Sequence, residues 1–214
     1  MKLRIVVPII TDLFNQEVVK EVAQFKAPDT EIDVVNIVHG PTSIESRYDE
    51  MLASPDIVEK VVQAEKDGCD GVFVDCFGDP GVHAAREMVR IPVVGAFQPA
   101  ALTASLIAGR WSVVTVLKSV VPLVDDLGRK LGLSQNIVSI RDIDTPVLEL
   151  QDKGVLEKKL LAQKLEKTMG EKGRAVPVVD PTAAAIGFLE LLVRSKLSHS
   201  LLAYPYPPEK ERKS

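Results

Sequence analysis

Short apolar runs alternate with amphipathic stretches from end to end of this chain, and that alternation constrains its fold more than any other feature. Leu3 to Ile10, Glu31 to Val38, Gly71 to Asp75 and Ile91 to Val94 read as strands. Between them, Asn15 to Phe25, Ser54-Pro55 to about Asp67, Asp79-Pro80 to Met88 and Pro99 to Ala108 read as helices, two of them opened by a cap residue and a first-turn proline. The pattern predicts an α/β fold with parallel strands and right-handed crossovers. Parallel strands are covered on both faces, which suits a chain with 46% hydrophobic but only 5% aromatic residues.

The second half repeats the scheme. Trp111 to Leu117, Asn136 to Arg141 and Ala175 to Val179 read as strands. Val120 to Leu131, Lys153 to Thr168 and a helix capped by Asp180-Pro181 and running to Arg194 separate or follow them. Ile91-Pro92-Val93-Val94-Gly95 and Val176-Pro177-Val178-Val179-Asp180 look alike, which suggests duplication. The expected fold is two pseudo-symmetric βα lobes with parallel four-stranded sheets and an active site in the cleft between them. Residues 1–97 form the first lobe and 98–200 the second, with chain exchange near 98–110 and in the last helix. Residues 201–214, rich in proline and charge, form an exposed tail.

The halves differ in one respect. The passage from Lys153 to Pro177 is shorter than its counterpart from Pro55 to Pro92 by roughly a dozen residues, about a strand and its turn. Lys164 to Gly173 is too polar for a buried strand. Either the strand between Gln151 and Ala175 is deleted or a segment is absent from the sequence. Deletion inside a central strand strands backbone groups without partners, which favours the second.

A net charge of -4 with no basic stripe argues against nucleic acid as a partner. The N-terminus runs straight into a strand, and no run is long and apolar enough for a membrane, so the expected location is cytoplasmic. The expected partner is a small-molecule substrate.

Chemistry concentrates at Cys76-Phe77-Gly78-Asp79-Pro80-Gly81, directly after the strand Gly71 to Asp75. Ligands of open α/β sheets bind at the carboxyl ends of strands, and a turn followed by a helix start favours a thiolate there. The other cysteine, Cys69, lies before the strand. Seven residues at ~3.3 Å each put it roughly 20 Å away, too far for a disulfide. His39, His83 and His199 have no ligand spacing, so no metal is expected. The glycines lack the Gly-Lys-Ser/Thr and dinucleotide spacings. Asp12 and Glu45 suit surface roles better than an acid/base pair. Ser43, Thr115 and Lys118 fall at strand ends on the same rim, and Phe77 can pack on an apolar substituent.

In order along the chain, Gly40-Pro41-Thr42-Ser43-Ile44-Glu45, Asp75 to Gly81, Ala84-Ala85-Arg86-Glu87, Pro92-Val93-Val94-Gly95, Ser112-Val113-Val114-Thr115 and Val176 to Pro181 resemble the hydantoin racemase branch of the aspartate/glutamate racemase superfamily. The resemblance implies a cofactor-independent isomerase in which one cysteine from each lobe faces the substrate, and commonly a homo-oligomer. Cys76 is then the first of the pair, a thiolate taking the proton next to a carbonyl while the opposing thiol returns one. Phe77 and Gly78 offer amides to the sulfur or to a developing enolate oxygen. The second cysteine's segment does not occur in this chain, and the family's Asn-rich loop after the first strand is replaced by Pro8-Ile9-Ile10-Thr11, leaving Thr11 as its polar candidate. These departures keep two alternatives open: a single-cysteine decarboxylase or cis-trans isomerase of the superfamily, and a catalytically inactive ligand-binding relative.

Overall fold

The computed structural model describes residues 1–151 and 177–211. The helix expected over Lys153 to Thr168, and the shortfall between Gln151 and Ala175, lie outside them.

Four parallel strands form the main sheet: β1 (Lys2–Val7), β2 (Glu31–Asn36), β3 (Gly71–Val74) and β4 (Val93–Val94), in the order β2-β1-β3-β4. The chain leaves β1 toward β2 on one side and returns to β3 on the other. The connections therefore diverge between β1 and β3, and the carboxyl ends of those strands open a crevice. Val6 pairs with Val74, so β1 and β3 end level with each other. Leu3, Ile5, Val72, Phe73 and Val74 are wholly buried, as strands covered on both faces must be.

The cover comes from two pairs of helices. α1 (Asn15–Phe25) lies with α6 (Pro181–Arg194), and α2 (Arg47–Lys66) lies with α3 (Val82–Met88). Asp180 caps α6 by accepting from the Ala183 amide at 3.0 Å, with Pro181 in the first turn, as the sequence predicts. α6 buries Ala185, Ile186 and Leu189 and packs on β3, β4 and α1, so the last helix of the chain completes the first sheet.

α2 starts earlier than expected. Its cap is Ser46, whose hydroxyl accepts from the Asp49 amide and donates to the Asp49 carboxylate at 2.7 Å. Pro55 stands inside the helix rather than at its first turn. The carbonyl it leaves without an amide belongs to Met51, whose side chain is exposed. α4 (Phe97–Ile107) likewise begins ahead of Pro99.

Among the described residues the second sheet has two parallel strands, β5 (Trp111–Thr115) and β6 (Ile137–Asp142), rather than the expected four. Pro177 to Val179, read as strand, is irregular. α5 (Val121–Lys130) packs on β6, and Phe97, Ala101, Val113, Val120 and Val124 form a second, smaller core. Phe77 meets Phe97 edge-on at 5.2 Å and joins the two cores.

The tail is more anchored than its composition suggests. The Tyr204 hydroxyl accepts from Arg86 at 3.1 Å, and the Tyr206 ring lies 3.5 Å from the Arg90 guanidinium. His199 Nε2 accepts from the Val93 amide at 2.7 Å, which caps the short edge strand β4. No helix among the described residues is long and apolar enough to cross a membrane.

Candidate active site

The site is built where β3 runs out. The Asp75 amide still pairs with the Val6 carbonyl at 2.9 Å, and then the chain turns. The Cys76 amide folds back on the Val74 carbonyl, and the Asp79 amide closes a turn on the Cys76 carbonyl at 3.1 Å. Asp79 and Gly81 both take left-handed backbone (φ 50° and 67°), which aspartate tolerates better than bulkier residues and glycine freely.

Asp79 caps a helix, but not the one that follows it. Its carboxylate accepts from the amides of Phe97 at 2.8 Å and Gln98 at 3.1 Å, so it caps α4 from eighteen positions upstream. A side chain at Gly95 would collide with it. α3 starts at Val82, beyond Gly81, with no side-chain cap. Among the described residues, therefore, no helix start lies directly at the sulfur.

In front of Cys76 is a hollow of about 320 Å³ between the two sheets. Of the residues singled out in the sequence, Cys76, Phe77, Gly78 and Thr115 line it. Thr11, Ser43 and Lys118 are not among its lining. Lys118 is exposed on a 3₁₀ turn, and the Thr11 hydroxyl accepts from the Leu13 amide in its own loop. Glu45 holds the rim instead, accepting from the Val147 amide at 2.7 Å. His39 is solvent-exposed beside Asp56, and His83 packs on Tyr204.

Four carboxyl side chains complete the wall, and the sequence reading passed over them: Glu17 and Glu21 from α1, Glu50 from α2, and Asp75. Two signals were available. Glu17 and Glu21 are spaced i,i+4 beside the buried Val18 and Val22, and Asp75 ends an otherwise apolar run. No lysine, arginine or histidine lines the hollow among the described residues. Apolar groups such as Val7, Phe14, Ile44, Val116 and Leu150 make up most of the rest.

This setting raises the proton affinity of Cys76, Asp75 and Glu50. Burial pushes the Cys76 thiol up to about 12; the Gly78 amide works against that, and the charges of Glu50, Asp79 and Asp75 add to it. Burial also raises Asp75 to about 7, helped by Glu21 and Asp180. Glu50 is raised by burial, with Arg47 and Lys130 opposing. Cys76 is therefore a thiol, not the thiolate that the turn chemistry suggests. No group of three or more His, Cys, Asp or Glu among the described residues is arranged to hold a metal ion.

Known proteins resemble this chain over most of its length. A family model described as Asp/Glu/Hydantoin racemase matches residues 8–173. A hydantoin racemase from Pseudomonas sp. (strain NS671) is 31% identical, over 99% of this chain and 94% of that protein. The aligned length of 233 exceeds this chain's 214 residues, so that relative has residues where this chain has none. The structure of allantoin racemase from Klebsiella pneumoniae superposes with a TM-score of 0.92 at 27% identity, over 100% of this chain and 96% of that one. That of allantoin racemase from Pseudomonas fluorescens gives 0.89 at 28% identity, over the full length of both.

Proposed function

We propose that this chain, which belongs to the Asp/Glu/hydantoin racemase family and is one of its isomerases, racemises 5-substituted hydantoins and related neutral cyclic ureides by proton transfer at Cys76. One observation carries the reading: the Cys76 thiol faces a hollow with four carboxyl side chains and no cation in its described wall.

The wall discriminates between substrates. Malonates and maleate carry carboxylates, and placing one among Glu17, Glu21, Glu50 and Asp75 brings like charges together in a low-dielectric space. A hydantoin is neutral and presents ring N–H groups that carboxylates accept, and carbonyls that a protonated acid or the Gly78 amide can bond. Its apolar 5-substituent finds Phe77, Ile44 and Val116. The neutral ring therefore favours racemisation over the decarboxylase and cis-trans isomerase alternatives.

Racemisation removes the hydrogen at C5 and returns one on the other face. The electron pair left behind moves into the adjacent ring carbonyl as an enolate, then back to carbon as the new C–H bond forms. The two ring carbonyls and the nitrogen between them acidify the position, so this chemistry asks little more of the protein than placement and two proton-transfer groups. With its thiol held protonated, Cys76 is the resting proton donor.

The test is the decay of optical rotation of enantiopure 5-benzylhydantoin at pH 7 in D₂O, against a blank without enzyme. The expected result is racemisation with deuterium at C5, and a loss of about 10³-fold in Cys76→Ala with the fold intact. Full activity in that variant overturns the assignment of Cys76. Turnover of maleate or an arylmalonate instead of the hydantoin overturns the substrate class, and ligand binding without turnover favours the inactive relative.

A further inference from the structure

A racemase that inverts a carbon needs a second group on the face opposite the first, and among the described residues no second cysteine lines the hollow. Its other cysteine, Cys69, is 3% exposed and precedes β3, at the far end of that strand from the hollow. We propose that Asp75 is the second proton-transferring group of the site, acting on the substrate face opposite Cys76. The proposal rests on the racemase reading above.

The geometry comes from the turn that ends β3, where the Cys76 amide folds back on the Val74 carbonyl and the side chains of Asp75 and Cys76 have different neighbours. Cys76 turns toward the α2 side, where it meets Glu50, the Gly78 amide and Asp79. Asp75 turns toward α1 and the start of α6, where its charged neighbours are Glu21 and Asp180. Both side chains nevertheless line the same hollow. A flat ring resting over the carboxyl end of β3 has sulfur on one side and carboxylate on the other.

Asp75 is also a carboxyl left free to act, and it is the one next to Cys76 in the chain. No described residue donates a hydrogen bond to it, whereas both Asp79 oxygens are taken by the start of α4 and Glu21 is held by Thr182. Glu50 packs against Gly78 on the same side as the sulfur: a Cβ at Gly78 would run into the Glu50 carboxyl and lie 3.8 Å from Cys76 Sγ. It would serve the face that Cys76 already serves. Burial first, then the charges of Glu21 from α1 and Asp180 at the start of α6, bring its titration to about 7, where a general base is most effective; Glu17, Glu50 and the Cys76 thiol are the other titratable groups lining the hollow.

The cycle balances. The Asp75 carboxylate takes the C5 proton, the electron pair passes into the ring carbonyl, and Cys76 gives its S–H proton to the opposite face. The site is left with a carboxylic acid and a thiolate, which solvent re-equilibrates before the next turnover. For the other enantiomer the roles exchange.

The experiment compares wild type, Asp75→Asn and Asp75→Glu with both enantiomers of 5-benzylhydantoin between pH 5.5 and 8.5. Asn, close in size but unable to carry the proton, is expected to lower kcat by 10²–10⁴-fold. In the wild type, kcat/KM for the enantiomer whose hydrogen faces Asp75 rises through about pH 7. Asp75→Glu is expected to recover part of the activity with that midpoint displaced, a change that a merely structural role would not produce. Asp75→Asn within about threefold of wild type, or Asp75→Glu active with an unmoved midpoint, overturns the proposal while leaving the racemase reading standing. A wild type that racemises neither enantiomer overturns both.

Discussion

Among the described residues, the two sheets are built from the same parts and differ in how they are covered. Along β3 every residue is buried, because α1 and α6 close one face of the four-stranded sheet and α2 and α3 the other. Along β5 burial alternates: Val113 and Thr115 are buried while Ser112 and Val114 are exposed, and Val138 of β6 is 52% exposed. A doubly covered sheet can displace the proton affinity of a group at its carboxyl edge; a singly covered one leaves such groups in water. Cys76 and Asp75 accordingly sit on the first sheet, while the second lends mainly apolar wall and Thr115.

Truncation should expose that difference first. Phe73 is fully buried in β3, and Phe73→Ala should destabilise the protein by about 3–5 kcal/mol. Val113→Ala in β5 should lose about 1–2 kcal/mol, because a smaller side chain leaves a smaller void in a thinner core. Urea midpoints measure both. Equal losses would mean that the second sheet is as well supported as the first.

Much of this arrangement was legible in the sequence because it is local. α1 begins and ends where its periodicity says, and Asp180-Pro181 marks α6 by chemistry within four residues. Cys76 was legible because a strand end followed by a turn is a local signal. The rest depends on partners far along the chain. Asp79 caps a helix eighteen positions away, and the tail is held by Arg86 and Arg90, contacts that proline-rich composition does not announce. Ser54-Pro55 imitated a helix start so well that the true signal, Ser46 with Asp49 three residues on, was passed over. Glu17 and Glu21 read as the wet face of an amphipathic helix. Only the fold shows that this face overlooks a hollow.

Two glycines sharpen the comparison at smaller scale. At Gly78 an added methyl meets the Glu50 carboxyl beside the sulfur, whereas at Gly128 it meets only the flexible end of Ile137. Gly78→Ala should lower kcat by about tenfold or more, since displacing Glu50 and the Gly78 amide disturbs groups within reach of the reacting atoms. Gly128→Ala should lose about 1–2 kcal/mol of stability through overpacking and leave kcat unchanged. Were Gly78→Ala to keep wild-type kcat, the Glu50–Gly78 wall would be packing alone.

The smallest effect is a slope. Asp75 and Asp79 have folded values of about 7 and about 6, above those of an unfolded aspartate, because burial disfavours their charge. A group raised in this way contributes stability that is fully present below its unfolded value and lost as pH rises through its folded one. These two residues therefore make the protein less stable as pH rises from about 4 to about 7. Asp56 acts in the opposite sense: burial there is outweighed by the amides of Val38 and His39, which hold its carboxyl below the ordinary range, so its contribution fades only in more acidic solution. His199, which burial lowers to about 4, and His83, which burial also lowers, act in the opposite sense up to their unfolded value, so the contribution of Asp75 is read as the difference between variant and wild type. Asp75→Asn should flatten the slope between about pH 4 and 7 and stabilise the protein at pH 8 by about 1–2 kcal/mol, while near pH 4 variant and wild type converge. An equally steep slope in the variant would mean that water reaches Asp75 freely, and the first sheet's edge would then be no drier than the second's.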